Sequence, residues 1–328
     1  MFRKIYLLSA LILVSVYFLG SAQAGCNGSC EIDDGQDWIV NLDTHIWDET
    51  VEIKSLTVNP GASLKLENMT VRVKENVNIF DNTEWISSNI TLLRNQGTNN
   101  VTIYEKLEII NSEVTIYVNM NDTANTNEAN AKGFFLEHNG ELIIRDLDNN
   151  NETTGDASII KPQQVGQVQY SWQYATWEII GSESEQQNFA VTNSIIIDIW
   201  TAQIYANNPI FTGNLVYGDR DIYFHGDNLT YSNNKHYAKE LNSTRSNVGS
   251  ARSLGNNSIF SNNFFHSGSS GLGIVGGTHS IVENNTFFNL TGNAFYSNTS
   301  PSNVAIINNG FESTNTAASV SYTHLTLP

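Results

Sequence analysis

Between about residue 37 and residue 317 the apolar positions fall into short runs of four to seven β-formers, separated by clusters of Asn, Gly, Asp and Ser. Val51-Glu-Ile-Lys-Ser-Leu-Thr-Val58, Ala62-Ser-Leu-Lys-Leu66, Met69-Thr-Val-Arg-Val73 and Asn76-Val-Asn-Ile-Phe80 are examples. None carries a helical period, and such run-and-turn composition predicts strands. In Thr70-Val-Arg-Val-Lys74 the side chains of Val71 and Val73 share one face while Thr70, Arg72 and Lys74 share the other. One dry and one wetted face is what a sheet wall around a core requires.

Near the C-terminal end a motif recurs three times, as Ile259-Phe-Ser-Asn-Asn-Phe264, Ile281-Val-Glu-Asn-Asn-Thr-Phe287 and Ile306-Ile-Asn-Asn-Gly-Phe311. The second Asn of each pair, Asn263, Asn285 and Asn309, recurs at spacings of 22 and 24. That period predicts stacked β-coils of about 22–24 residues each. Ile259, Ile281 and Ile306 are expected to stack inside as an aliphatic ladder. Asn263, Asn285 and Asn309 are expected to form an asparagine ladder at a corner, and Phe264, Phe287 and Phe311 to continue the interior stack. Residues 25–319 would then wind into about ten to thirteen coils, a rod about 50–60 Å long at the strand spacing.

The phrases Gly61-Ala-Ser-Leu-Lys-Leu-Glu-Asn-Met-Thr70 and Gly268-Ser-Ser-Gly-Leu-Gly-Ile274 resemble rungs of secreted right-handed parallel β-helix proteins, the pectate-lyase-like superfamily. The resemblance is strongest over 255–315, present over 37–120 and weakest over 120–250, where longer loops interrupt the rungs. It implies an all-β fold, a right-handed parallel β-helix. It does not imply one activity, because unrelated functions share that fold.

The ends carry their own signals. Arg3-Lys4, an apolar run from Ile5 to Leu19 and Ala22-Gln23-Ala24 read as a secretory signal peptide over 1–24. A retained N-terminal anchor is the alternative, although the apolar run falls short of the roughly 20 residues of a membrane span. The expected location is therefore secreted or cell surface, with membrane contact through this segment or through sequence beyond residue 319. Cys26 and Cys30, the two cysteines, predict a local disulfide, with lipid modification of Cys26 as the other reading. The segment 25–47 is expected to cap the rod. Residues 320–328, Val320-Ser-Tyr-Thr-His-Leu-Thr-Leu-Pro328, resemble a translated transposon-end sequencing adapter, so the natural chain is expected to continue past Ser319.

A formal net charge of −17 argues against nucleic acid and anionic membrane surfaces as partners, and is compatible with calcium. Asn-x-Ser/Thr triplets, including those at Asn68, Asn89, Asn228 and Asn289, are candidate glycan acceptors. The chain has no Gly-rich phosphate loop, His-Glu-x-x-His element or Gly-x-Ser-x-Gly nucleophile, so no nucleotide or redox cofactor is expected.

Four segments carry candidate chemistry. In Gly218-Asp-Arg-Asp-Ile-Tyr-Phe-His-Gly-Asp227, inward Ile222 and Phe224 would leave Asp221, Tyr223 and His225 outside, with Asp219 and Asp227 at the turns. That is either a sugar or metal patch or an ordinary wetted rung; Asp219, Asp221, His225 and Asp227 are the catalytic candidates. Asp146, Asp148, Asn150 and Glu152 place oxygens at alternate positions, as calcium loops do, but lack an EF-hand's glycine and final glutamate. Tyr170, Trp172 and Tyr174 alternate, with Trp177 following. They suggest a carbohydrate-binding platform, or packing under a loop. Polygalacturonase-type hydrolases carry an aspartate pair and a Gly-His-Gly element; Gly276-Gly-Thr-His-Ser280 echoes the latter loosely, and Asp33-Asp34 lies far from it.

Two functions follow. The first is an exported, non-enzymatic β-helix acting as a structural or adhesive module that contacts surface glycans. The alternative is a lyase or glycoside hydrolase acting on acidic polysaccharide, which would gather its acids and a base in one groove on the coil wall.

Overall fold

A computed structural model describes residues 25–28, 32, 35–93, 100–119, 133–148, 155–165, 177–181, 187–197, 199–218, 221–237, 251–268, 270–297, 303–312, 314 and 316–320. Its strands form three sheets of 12, 11 and 12 strands. Successive strands of the chain visit the sheets in rotation, called here sheet 1 (opening with Gly25–Asn27 and Thr44–Trp47), sheet 2 (opening with Thr50–Ile53) and sheet 3 (opening with Asp37–Val40). Apart from the first pair of sheet 1, every pairing is parallel. This is a parallel β-helix.

Coil 1 spans residues 44–58 and coil 11 spans 305–320; coils 2 to 10 cover 64–79, 83–103, 106–136, 141–181, 188–204, 210–224, 230–253, 259–274 and 281–297. At the strand spacing this is a rod of about 50 Å. The compact coils are shorter than the C-terminal repeat suggests. Thr44 pairs with Leu64 and Leu64 with Thr83, steps of 20 and 19, and Ile210 pairs with Thr230, a step of 20. Steps of 22 and 24 join coils 9 to 11, and a step of 24 also joins coil 3 to coil 4.

The corner between sheets 1 and 2 sets the phase of everything else. It is made by two residues. The first takes a left-handed backbone, as in Asn233 (φ 57°), Asn262 (φ 57°), Asn284 (φ 54°) and Asn308 (φ 50°), a conformation Asn tolerates better than other non-glycine residues. The second turns its amide into the wall. Asn263 accepts from the backbone N and the Nδ2 of Asn234, both at 3.0 Å, and donates to Asn285 Oδ1 (2.9 Å) and Tyr231 O (2.9 Å). The ladder runs Asn214, Asn234, Asn263, Asn285, Asn309, two rungs longer than the repeat alone predicts. In earlier coils Ser88, Ser112 and Ser158 hold the same place, each Oγ accepting from the backbone N of the corner residue in the preceding coil.

Counting from the ladder asparagines corrects two expectations. The inner column of sheet 1 is Phe260, Val282, Ile306, while Ile259 and Ile281 stack with Ala305 on the outer face and Ile259 is 38% exposed. The inner column of sheet 2 is Phe265, Phe287, Phe311; Phe264 points outward beside Thr286 and Gly310. Both neighbours in Ile259-Phe260 and in Phe264-Phe265 are apolar, so hydrophobicity does not choose between them, whereas the corner Asn does.

The core is one continuous cluster from Trp38 to Val304. It is mostly aliphatic in the first coils, Trp38 and Trp85 aside, and richer in aromatic rings from coil 7 onward, where Phe211 stacks on Tyr231 (5.1 Å) and Phe265 on Phe287 (5.5 Å). The buried polar groups Tyr231 Oη and His236 Nε2 share a hydrogen bond inside it. At the N-terminal end, Gly25–Asn27 lies antiparallel on Thr44–Trp47, and Cys26 is disulfide-bonded. Cys30, the other cysteine of the chain, lies outside the described residues.

Candidate functional site

The outer faces of the three sheets differ in kind. On sheet 1 the early coils present ion pairs. Glu67 Oε2 meets His45 Nε2 (2.9 Å) and Lys65 Nζ (3.0 Å); Glu108 meets Arg145 Nε (2.8 Å) and Lys106 Nζ (3.0 Å). Burial pushes the Glu108 carboxyl up, but hydrogen bonds from Arg145 and Lys106 outweigh it and hold it below the ordinary carboxylate range. The hydrogen bond to Glu108 likewise holds Lys106 above its ordinary value. Both groups stay charged near neutrality and pair with each other, which suits wall stability better than proton transfer.

Sheet 2 carries an aromatic wall in coils 7 to 10. Tyr217 stacks on Tyr237 (5.5 Å) and His266 on Phe288 (5.1 Å, planes 7° apart). Rings stacked along the rod cover each other's faces and turn their edges to solvent, whereas sugar rings dock on exposed faces. His266 belongs to this wall.

Sheet 3 is different. Its outer positions across coils 6 to 10 are Gln203, Tyr223, Arg252, Gly273 and Tyr296, aligned by strand pairing. Ile222 and Phe224 are buried, so Tyr223 and His225 face outward. Arg252 is the only lysine or arginine in the twelve strands of this sheet. Its Nη1 donates to Tyr223 Oη at 2.7 Å. Its guanidinium carbon lies 4.9 Å from the Tyr223 ring centroid and 5.2 Å from that of Tyr296, a cation held between two rings. Gly273 makes this arrangement fit: a Cβ there would lie 2.4 Å from Tyr296 Cζ, so only glycine lets the Tyr296 ring lie down toward Arg252. One coil further back, His225 Nε2 pairs with Gln203 Oε1 (2.7 Å) and its ring stacks on Tyr205 (4.1 Å). The Tyr223 and His225 ring centroids are 6.4 Å apart. A guanidinium, a phenol and an imidazole thus gather on one wall.

The lengthened connections of coils 3, 4, 5 and 8 (residues 93–99, 120–132, 166–176 and 238–250) all join sheet 2 to sheet 3. Tyr170, Trp172 and Tyr174 belong to the third of these and lie outside the described residues; Trp177 opens the strand Trp177–Gly181 of sheet 3, its side chain also undescribed. Asp219 lies outside the described residues in the coil 7 connection, and Asp221 opens the strand Asp221–Phe224 with an undescribed side chain.

Other candidates stand elsewhere. Asp227 is a corner residue: its Oδ1 accepts from Asn256 backbone N (2.7 Å) and Nδ2 (3.0 Å). His279 sits at the same corner two coils on, left-handed (φ 59°), bonded to Thr278 Oγ1 and Asn303 Nδ2. Asp33 and Asp34 lie outside the described residues. Asp146 and Asp148 come together with Asp156, ligand oxygens within 4.8 Å of one another, at the sheet 1–sheet 2 corner of coil 5, while Asn150 and Glu152 lie outside the described residues. Asp146 is buried, with Asn193 Nδ2 at 3.3 and 3.4 Å from its two oxygens. Hard cations favour such carboxylate oxygens.

Sequence reasoning reached Tyr223 and His225 but missed Arg252, Gly273, Tyr296, Gln203 and Tyr205. The signal for Arg252 was present: a lone cation in Ala251-Arg-Ser253, a strand otherwise free of charge.

No family model matches the chain, and no curated protein does. Among solved structures, one described as "a new PL6 alginate lyase complex with trisaccharide" is 11% identical, with 91% of this chain and 85% of that chain covered and a TM-score of 0.39. The fold rests on the strand pairing above.

Proposed function

We propose that this protein is an exported β-helix that binds an acidic polysaccharide along the outer face of sheet 3 and cleaves it by β-elimination. The observation that carries the reading is the Arg252 guanidinium, held between Tyr223 and Tyr296 and bonded to the Tyr223 phenol. Elimination on a uronate needs three things: a cation on the carboxylate, a base for the C5 proton and an acid for the leaving O4. Arg252 supplies the first. Tyr223 and His225 are the groups for the second and third, one accepting the C5 proton as its electrons form the C4=C5 double bond, the other protonating O4 as the C4–O4 bond breaks.

The second reading is a non-catalytic adhesive rod. It is favoured by the self-stacked rings of sheet 2 and the ion-paired face of sheet 1, both arrangements that stabilise walls. Calcium at Asp146, Asp148 and Asp156 would be compatible with either.

The test is ultraviolet detection of unsaturated ends from a panel of polyuronates. Turnover on at least one, reduced at least about a hundredfold by Arg252→Ala and by Tyr223→Phe, is expected. Binding without turnover on any of them, unaffected by Arg252→Ala, would return the protein to the adhesive reading.

A further inference from the structure

The sheet 3 wall also constrains the stereochemistry of its substrate, taking the elimination proposed above as given. Tyr223 and His225 are two residues apart, so their side chains leave the same face of the sheet. His225 N donates to Ile204 O at 2.7 Å, which carries the parallel ladder one residue past Phe224 and keeps that alternation through His225. The two ring centroids are 6.4 Å apart. Arg252 stands one coil on and donates from Nη1 to Tyr223 Oη. Among the described residues, the cation, the phenol and the imidazole therefore meet a bound sugar from one side.

Their hydrogen bonds divide the proton work. Gln203 Oε1 lies 2.7 Å from His225 Nε2, and a carbonyl oxygen only accepts, so Nε2 carries the proton and the neutral ring keeps its lone pair on Nδ1. The stack on Tyr205 (4.1 Å, planes 13° apart) fixes the plane of that ring. In the bond from Arg252 the Tyr223 oxygen is the acceptor, so the phenol's own O–H is directed elsewhere. His225 is then the base and Tyr223 the acid. His225 Nδ1 takes the C5 proton, and the C5–H electron pair becomes the C4=C5 double bond. The C4–O4 pair leaves with O4, which receives the Tyr223 proton. Proton exchange with solvent returns both rings to their starting forms.

A base and an acid on one side serve a sugar whose C5–H and C4–O4 bonds leave the same side of its ring. We infer that this wall performs syn elimination and that its substrate is a polymer of 4-linked D-mannuronate or D-glucuronate, in which those two bonds are cis. In L-guluronate, L-iduronate and D-galacturonate they are trans. Presenting one bond of a trans sugar to the wall turns the other away from it, so either the base or the acid is out of reach. The stereochemical conclusion holds whichever of the two rings takes the proton, because both lie on the same face.

The test is kcat/KM, read from ultraviolet absorption of unsaturated ends, on separate 4-linked polymers of D-mannuronate, D-glucuronate, L-guluronate and D-galacturonate. The unaltered chain is used, so no variant has to fold. At least one of the two cis polymers is expected to turn over at least about a hundredfold faster than either trans polymer, the margin that one general acid or base supplies. A smaller margin, or faster turnover of a trans polymer, would overturn this inference and leave the elimination reading standing. Unsaturated ends from none of the polymers would overturn the elimination reading itself, and this inference with it.

Discussion

At the scale of single residues, the corner between sheets 1 and 2 divides its work between two asparagines. The first accepts a left-handed backbone; the second, in Asn263, satisfies four polar groups across three coils. Asn263→Ala is therefore expected to cost roughly 2–4 kcal/mol in denaturant unfolding, because the Asn234 N–H, the Asn285 amide and Tyr231 O all lose a partner. Asn263→Ser should cost less, since serine holds this place in coils 3 to 5. The ladder at Asn263, Asn285 and Asn309 was legible in the sequence because each Asn pair sits before a phenylalanine. Asn234 was not, because Lys235 and His236 replace that signal, and Asn214 was not, because Gly213 replaces the first Asn. Left-handed residues at all three kinds of corner explain several glycan-acceptor triplets. In Asn68-Met-Thr70, Asn228-Leu-Thr230 and Asn289-Leu-Thr291 a left-handed Asn is followed by a buried residue and then by a residue leading out of the turn, which writes Asn-x-Thr for structural reasons.

Glu108 provides the pH dependence. Its folded pKa lies below the ordinary value, so its contribution is in place above the usual carboxylate range and disappears as pH falls through the folded pKa. Glu67, held down by its hydrogen bond from Lys65, acts in the same direction. Thermal stability should be flat from about pH 5 to 7 and fall below about pH 4, and Glu108→Gln should flatten part of that fall. An unaltered acid limb in the variant would show that the Lys106–Glu108–Arg145 group contributes nothing.

At the scale of elements, the alternation of each strand was legible and its phase was not. In Thr70–Val73 a polar residue between two valines fixes the inward face, and Val71 and Val73 are buried. In Ile259–Ser261 and Phe264–His266 two apolar neighbours compete, and the structure buries the second of each. The consequence is measurable. Phe260→Ala and Phe265→Ala should each cost about 3–5 kcal/mol, while Ile259→Ala should cost less than about 1 kcal/mol. Equal losses at 259 and 260 would contradict the assigned register. Coil length varies with the connections: the steps of 22 and 24 seen in the repeat hold for coils 9 to 11 and, at 24, from coil 3 to coil 4, while compact coils take 19 or 20 and coils with long connections take more.

At the scale of the whole molecule, winding the chain turns residues far apart in sequence into neighbours. Tyr223, Arg252 and Tyr296 meet because the coils align them on sheet 3, and the step of 29 from the first to the second includes the connection 238–250. No local motif spells such a grouping, which is why the rod was legible from sequence and the cluster on sheet 3 was not. The acidic segment around Asp221 contains Tyr223 and His225, which lie on this face, whereas Asp227 is a corner residue. The account stands on sheet 3 being the face that holds sugar. A diffraction structure with a short oligouronate bound addresses that directly. The account predicts the chain of sugars on sheet 3 between coils 6 and 10, with one carboxylate on the Arg252 guanidinium; an oligouronate seated on sheet 1 or on the aromatic wall of sheet 2 instead would contradict it.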